Sequence, residues 1–172
     1  YSHIYLIILA LITNIISIKV KKYIFASILA CSLSFAANAQ KITLGSCVTH
    51  DGAQYKGQLQ AGKPHGKGSA LFENGDTYEG EYVKGKRQGE GIYTFSDGEK
   101  YDGEWFQDQQ HGYGTFWFIN NNKYVGMWYR DYQQGHGVMY YYNGDKYDGY
   151  WQQDKRQGKG KYTFAGGAYY EG

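Results

Sequence analysis

Six tyrosines, Tyr55, Tyr78, Tyr101, Tyr124, Tyr147 and Tyr170, stand 23 residues apart with no insertion between them. A glycine follows each after two residues (Gly57, Gly80, Gly103, Gly126, Gly149, Gly172), and a large apolar residue after four (Leu59, Tyr82, Trp105, Trp128, Trp151). A Gly-x-Gly pair then recurs, from Gly66/Gly68 to Gly158/Gly160, and each unit closes on an aromatic: Phe72, Phe95, Phe118, Tyr141 or Phe164. Self-similarity at a fixed period of this length marks a repeat architecture, in which each unit buries its apolar face only against its neighbours. The fold must therefore be an array.

Alternation decides what kind of array. Side chains on a strand point to opposite faces in turn, so Tyr101, Gly103 and Trp105 share one face and Asp102 and Glu104 the other. Between Phe72 and Tyr78, an Asn-Gly two-residue turn would put the two rings on opposite faces. A three-residue Glu73-Asn74-Gly75 loop with Gly75 left-handed keeps them together. Each unit is then a hairpin, and the chain is an all-β, elongated antiparallel β-meander of 23-residue hairpins. The 25 glycines among 172 residues, about twice the usual share, become frame positions that make room for rings. Collagen is excluded, because there is one proline and no three-residue glycine period. With 19 % aromatic residues, a flexible linker is excluded too.

The frame begins before Tyr55. Gly45-Ser-Cys-Val-Thr-His-Asp-Gly52 aligns with Gly68-Ser-Ala-Leu-Phe-Glu-Asn-Gly75, making 40–54 a half-repeat that caps the array. Residues 55–172 then hold five full copies and the start of a sixth. The spacing resembles the MORN repeat, Tyr-x-Gly-x-Trp followed by Gly-x-x-x-Gly-x-Gly and a closing aromatic; Tyr78 to Gly91 follows it almost position by position. Asp108, Asp131 and Asp154 depart from it where Gly62 and Gly85 stand, as does Asn121 in the third unit's turn. The resemblance implies a non-catalytic binding or scaffolding module that makes protein–protein contacts or self-associates. Phospholipid headgroups are the alternative ligand, and a second alternative is the accessory region of an enzyme whose catalytic domain follows residue 172.

The first 39 residues are a different material, without Asp, Glu or Gly. Lys21-Lys22, an apolar run over 23–35 and Ala37-Asn38-Ala39 have the layout of a cleavable signal peptide spanning 20–39. Residues 1–19 are expected to be an upstream extension. A competing reading uses Ile28-Leu29-Ala30-Cys31 as a lipoprotein box with Cys31 lipidated. A second takes 4–20 as a membrane span. The expected location is exported, periplasmic or secreted, at the cell envelope. Cleavage would remove three of the 18 basic residues, leaving 15 against 16 acidic ones and a net charge of −1. A chain so close to neutral lacks the basic track that nucleic acid needs.

No motif points to catalysis, a cofactor or a small-molecule substrate. Gly57–Lys63 and Gly80–Lys86 start like phosphate loops but continue with Pro64 and Arg87, not the magnesium-binding hydroxyl. Cys47 and His50 are an odd number apart and face opposite ways on a strand, so they form no dyad. By the same parity Cys47 points inward as a small core residue. His65 and His111 lie four strand spacings, roughly 19 Å, apart and cannot share a metal ion. The pairs Glu79/Glu81 and Asp102/Glu104 read as a solvated face. Lys84-Gly-Lys86-Arg87 and Lys155-Arg156 read as basic turns, the first being the place where lipid headgroups would bind.

One feature breaks the polar outer face. Trp117, Val125, Met127, Val138, Tyr140 and Tyr150 fall on the side where other units carry Lys, Glu, Asp or Thr. An exposed apolar cluster of this kind marks a contact surface, and these six residues are the candidate partner surface.

Overall fold

A computed structural model describes residues 41–172. The expected leader, the Ala39 cleavage site, Cys31 and the 4–20 span lie outside the described residues. Twelve strands pair in sequence order into one open antiparallel sheet: β1 (Ile42–Val48), β2 (Gln54–Gln60), β3 (Lys63–Leu71), β4 (Thr77–Val83), β5 (Lys86–Thr94), β6 (Lys100–Phe106), β7 (Gln109–Trp117), β8 (Lys123–Tyr129), β9 (Tyr132–Tyr140), β10 (Lys146–Gln152), β11 (Lys155–Thr163) and β12 (Tyr169–Glu171). The strand β1 pairs Gly45 with Gly57 and Cys47 with Tyr55, the arrangement that Gly68–Gly80 and Ala70–Tyr78 repeat further on. No helix among the described residues is long and apolar enough to cross a membrane.

Two kinds of connection alternate along the meander. Between β3 and β4, the Phe72 N–H donates to the Asp76 carbonyl at 3.0 Å and the Gly75 N–H to the Phe72 carbonyl at 3.1 Å. That leaves a three-residue loop whose last member, Gly75, has φ +88°, as the side-chain parity requires. Asn121 takes the same left-handed place in the third unit, at φ 64°. Within each unit the strands are joined by a two-residue turn with both φ values positive, such as Ala61-Gly62 and Gln107-Asp108. This turn twists in the sense of the strands it joins.

Among the described residues the core lies on one face of the sheet, with no second layer against it. From Gly45 to Gly160 every strand contributes one glycine to an unbroken cross-strand column. The tyrosine that opens each unit lays its ring over its own pair of these glycines. A Cβ built on Gly80 or Gly91 would fall against the Tyr78 ring, and one on Gly103 or Gly114 against Tyr101. Tyr55, Tyr78, Tyr101 and Tyr124 are fully buried as a result. Tyr55 meets Tyr82 edge to face at 5.0 Å, and from there the tyrosine rings meet Trp side chains edge to face at 5.2–5.3 Å, alternating Tyr78, Trp105, Tyr101, Trp128, Tyr124, Trp151, Tyr147 along the sheet. Each such pair contributes about 0.5–1.5 kcal/mol beyond area burial. The indole N–H of Trp105 reaches the Gly91 carbonyl at 3.0 Å and that of Trp151 the Gly137 carbonyl at 3.1 Å, so neither ring is buried with an unpaired donor.

Each unit carries a bulge one residue past its glycine, where the ladder shifts between Gly57 and Leu59, Gly80 and Tyr82, Gly103 and Trp105, and so on. The tyrosine hydroxyl donates to the carbonyl of the skipped residue: Tyr55 to Gln58 at 2.8 Å, Tyr78 to Glu81 at 3.1 Å, Tyr101 to Glu104 at 2.8 Å. One side chain thus covers the glycines and pairs the backbone group that the bulge would orphan.

Candidate functional site

The ladder defines the rows of the outer face. The middle row runs Asp102, Thr115, Val125, Val138, Asp148, Lys161 across β6 to β11. A second runs Lys100, Trp117, Lys123, Tyr140, Lys146, Thr163. All six residues of the candidate partner surface sit on this face, on adjacent strands β7–β10. Met127, Tyr140 and Tyr150 are exposed, while Trp117, Val125 and Val138 are half-buried by their neighbours.

Lysines accompany the rings. The Lys100 ammonium lies 3.9 Å from the Trp117 ring centroid and that of Lys123 lies 4.8 Å from Tyr140. Each ammonium thus sits over a ring of the patch, where the face of the ring attracts its charge. Asp148 is held between His136 Nε2 at 3.1 Å and Lys146 Nζ at 3.3 Å.

Four further exposed aromatics lie on the same face, outside the six-residue cluster: Phe106, Tyr113, Tyr129 and Tyr132. Tyr113 pairs across the ladder with Met127, two residues from Thr115 on the same strand. Its column, Lys67, Glu90, Tyr113, His136, Lys159, would have revealed it as the one aromatic among charged residues and a histidine. Phe106, Tyr129 and Tyr132 flank two-residue turns, and no position in the repeat pattern singles them out.

The basic turn around Lys84 is corrected. Lys84 and Lys86 are exposed, but Arg87 pairs across the ladder with Tyr82 and turns inward. Its guanidinium lies 4.6 Å from the Trp105 ring and 5.2–5.8 Å from Tyr93, Tyr78 and Phe72. The side chain is 14 % exposed, with Nη2 donating to the Asp108 carbonyl at 3.1 Å. Counting by twos from Tyr93 through Gly91 and Gly89 brings Arg87 onto the core face, so Arg87 is a packing cation and not a headgroup ligand. Arg156 remains exposed and stacks on Tyr147 at 5.2 Å.

The repeat-defining residues, Tyr55, Gly57, Tyr78, Gly80, Tyr101, Gly103, Tyr124, Gly126, Tyr147 and Gly149, all belong to the core column and its tyrosine cover. Cys47 is half-buried against the core, and burial pushes its thiol pKa up. Among the described residues no three His, Cys, Asp or Glu side chains cluster where they would hold a metal ion. On the inner face, a depression of about 840 Å³ lies between Phe95, Phe118 and Tyr141 on one rim and the Asp131 and Asp154 turns on the other.

A sheet of hairpins repeated every 23 residues, with its core on one face and exposed apolar side chains on the other, defines a β-repeat protein. The MORN repeat model matches residues 55–77, 78–100, 101–123, 124–146 and 147–169, and the chain belongs to that family. No curated protein matches it. Among solved structures it is similar to the SAS-4 (dCPAP) TCP domain of Drosophila melanogaster in complex with a proline-rich motif of Ana2 (dSTIL). The identity is 16 %, over 74 % of this chain and 88 % of that one, with a TM-score of 0.35. MORN repeats are in general protein- or membrane-binding modules, and that much holds for this chain.

Proposed function

We propose that the chain is a non-catalytic module that binds protein through the outer face of β7–β10, and that it works at the cell envelope. The carrying observation is the contiguous set Tyr113, Trp117, Val125, Met127, Val138, Tyr140 and Tyr150 on the face opposite the core. The same columns on β2–β5 hold residues such as Lys56, Glu79, Glu81 and Glu90. An apolar surface that the fold does not use for its own packing fits a partner. The layout of residues 20–39 supports the envelope location.

Because these side chains lie outside the core, Trp117→Ser with Tyr140→Ser leaves the fold intact, which the melting curve checks. In a pull-down from envelope extract with the full chain, the double variant is expected to lose the captured protein by about tenfold or more, one factor of ten being about 1.4 kcal/mol. Undiminished capture by a folded double variant overturns the assignment of the surface.

A further inference from the structure

We propose that the partner on this face is a second copy of the same chain, packed sheet on sheet about a two-fold axis that runs along the strands between β8 and β9. The inference rests on the outer face being a protein-binding surface, and it follows from folding the outer rows back on themselves.

A two-fold axis in that position places β9 of one copy on β8 of the other, β10 on β7 and β11 on β6. The middle row then sets Val125 against Val138, Thr115 against Asp148, and Asp102 against Lys161. In the row of Trp117, Lys123 meets Tyr140 and Trp117 meets Lys146, which are cation–ring pairs of the kind each copy already forms within itself. In the third row Met127 meets His136, Tyr113 meets Tyr150, and Glu104 meets Lys159. Within these facing pairs no two like charges oppose each other. A two-fold interface requires such self-complementarity, since residue i must suit residue j and residue j must suit i at once.

Charge is distributed to match. The outer face of β4–β6 carries five carboxylates (Glu79, Glu81, Glu90, Asp102, Glu104) against Lys86 and Lys100. The outer face of β10–β12 carries Lys146, Lys155, Lys159 and Lys161 against Asp148 and Glu171. The apolar rows lie between these two ends. Depressions of comparable size, about 520 Å³ and about 490 Å³, flank them: four carboxylates against Lys56 and Lys67 line the first, and Lys159 and Lys161 with Asp148 and Glu171 line the second. Six strands about 4.8 Å apart and about 24 Å long give a footprint of about 700 Å² before side-chain relief, close to the roughly 800 Å² per partner of a stable complex.

The test is a charge exchange, read by analytical ultracentrifugation of the full chain. The unaltered chain is expected to sediment as a dimer. Lys159→Glu with Lys161→Glu is expected to weaken association about tenfold or more, and Asp102→Lys with Glu104→Lys to do the same. An equimolar mixture of the two variants regains the dimer, because one end of the mixed dimer keeps the original carboxylate–lysine pairs and the other end holds them in reversed sense. Unchanged melting curves establish that neither variant unfolds. A monomeric parent chain, two variants that stay dimeric, or a mixture that stays monomeric overturns the proposal. Should the parent be monomeric while Trp117→Ser/Tyr140→Ser still loses its captured protein, only the identity of the partner fails. A monomer that sediments with anionic vesicles and is released by Lys159→Glu/Lys161→Glu overturns it in favour of a lipid surface.

Discussion

Gly91 carries two constraints at once: its backbone pairs on both sides in the glycine column, and the Tyr78 ring rests on its Cα. Alanine there must push a buried ring off its hydrogen bond to Glu81. Gly91→Ala is expected to cost about 2–3 kcal/mol as overpacking, read as a lower urea midpoint with an unchanged slope. Gly98→Ala, in a loop at φ +97° with nothing near its missing Cβ, carries only left-handed backbone strain of about 1–2 kcal/mol. The rings themselves set an alkaline limit. Burial pushes the Tyr55 hydroxyl up to about 12 and those of Tyr78, Tyr101 and Tyr124 higher still. A pKa raised by folding leaves stability complete below the ordinary value of 10.0, where both states hold the proton. Above it the unfolded chain ionises first, so stability falls as the pH climbs. The buried tyrosines are expected to ionise in one cooperative step, seen in tyrosinate absorbance and coinciding with loss of the β-sheet circular dichroism signal.

The turns show why the units stay in register. Asp131 donates its N–H to the Gln110 carbonyl at 3.2 Å and takes back the Gln110 N–H on Oδ1 at 2.7 Å. Asp108 does the same with Arg87, and Asp154 with Gln133. Each acidic departure from the repeat pattern is a clamp to a turn 21 residues upstream. The exception fits the rule: Gly85 donates to the Pro64 carbonyl at 2.8 Å and has no carboxylate, and Pro64 has no N–H to offer one. Asp131→Gly is expected to lose about 1–2 kcal/mol by leaving the Gln110 N–H unpaired, whereas Gly85→Asp gains nothing; chemical denaturation of the two variants checks both. A small effect of the first would show that water replaces the carboxylate. The three-residue loop was legible from parity alone, because Phe72 and Tyr78 had to share a face. The clamps were not, since their donors are backbone groups in another unit, and a backbone N–H leaves no mark on the sequence except where proline removes it.

Across the whole sheet, the period exposed the inner face almost completely, because a ring over a glycine is a pattern of residue types. Alternation along each strand also reaches the outer face, and it places Trp117, Val125, Val138 and Tyr140 there. It places Tyr113 beside them too, two residues before Thr115, and it carries Arg87 inward from Tyr93 through Gly91 and Gly89. Reading Lys84 to Arg87 as one solvated turn hides that inward count, because a run of basic residues looks like a loop until the strand is counted from its core end. The order of the strands has a consequence for how the chain reaches this state. Each strand pairs only with the strands immediately before and after it in the chain, so a hairpin formed anywhere can grow by adding the adjoining segment at small loop-closure entropy. Sheets are ordinarily slow to form because distant segments must find one another. This one assembles as a zipper does, with every unit a possible starting point and each neighbour a template for the next.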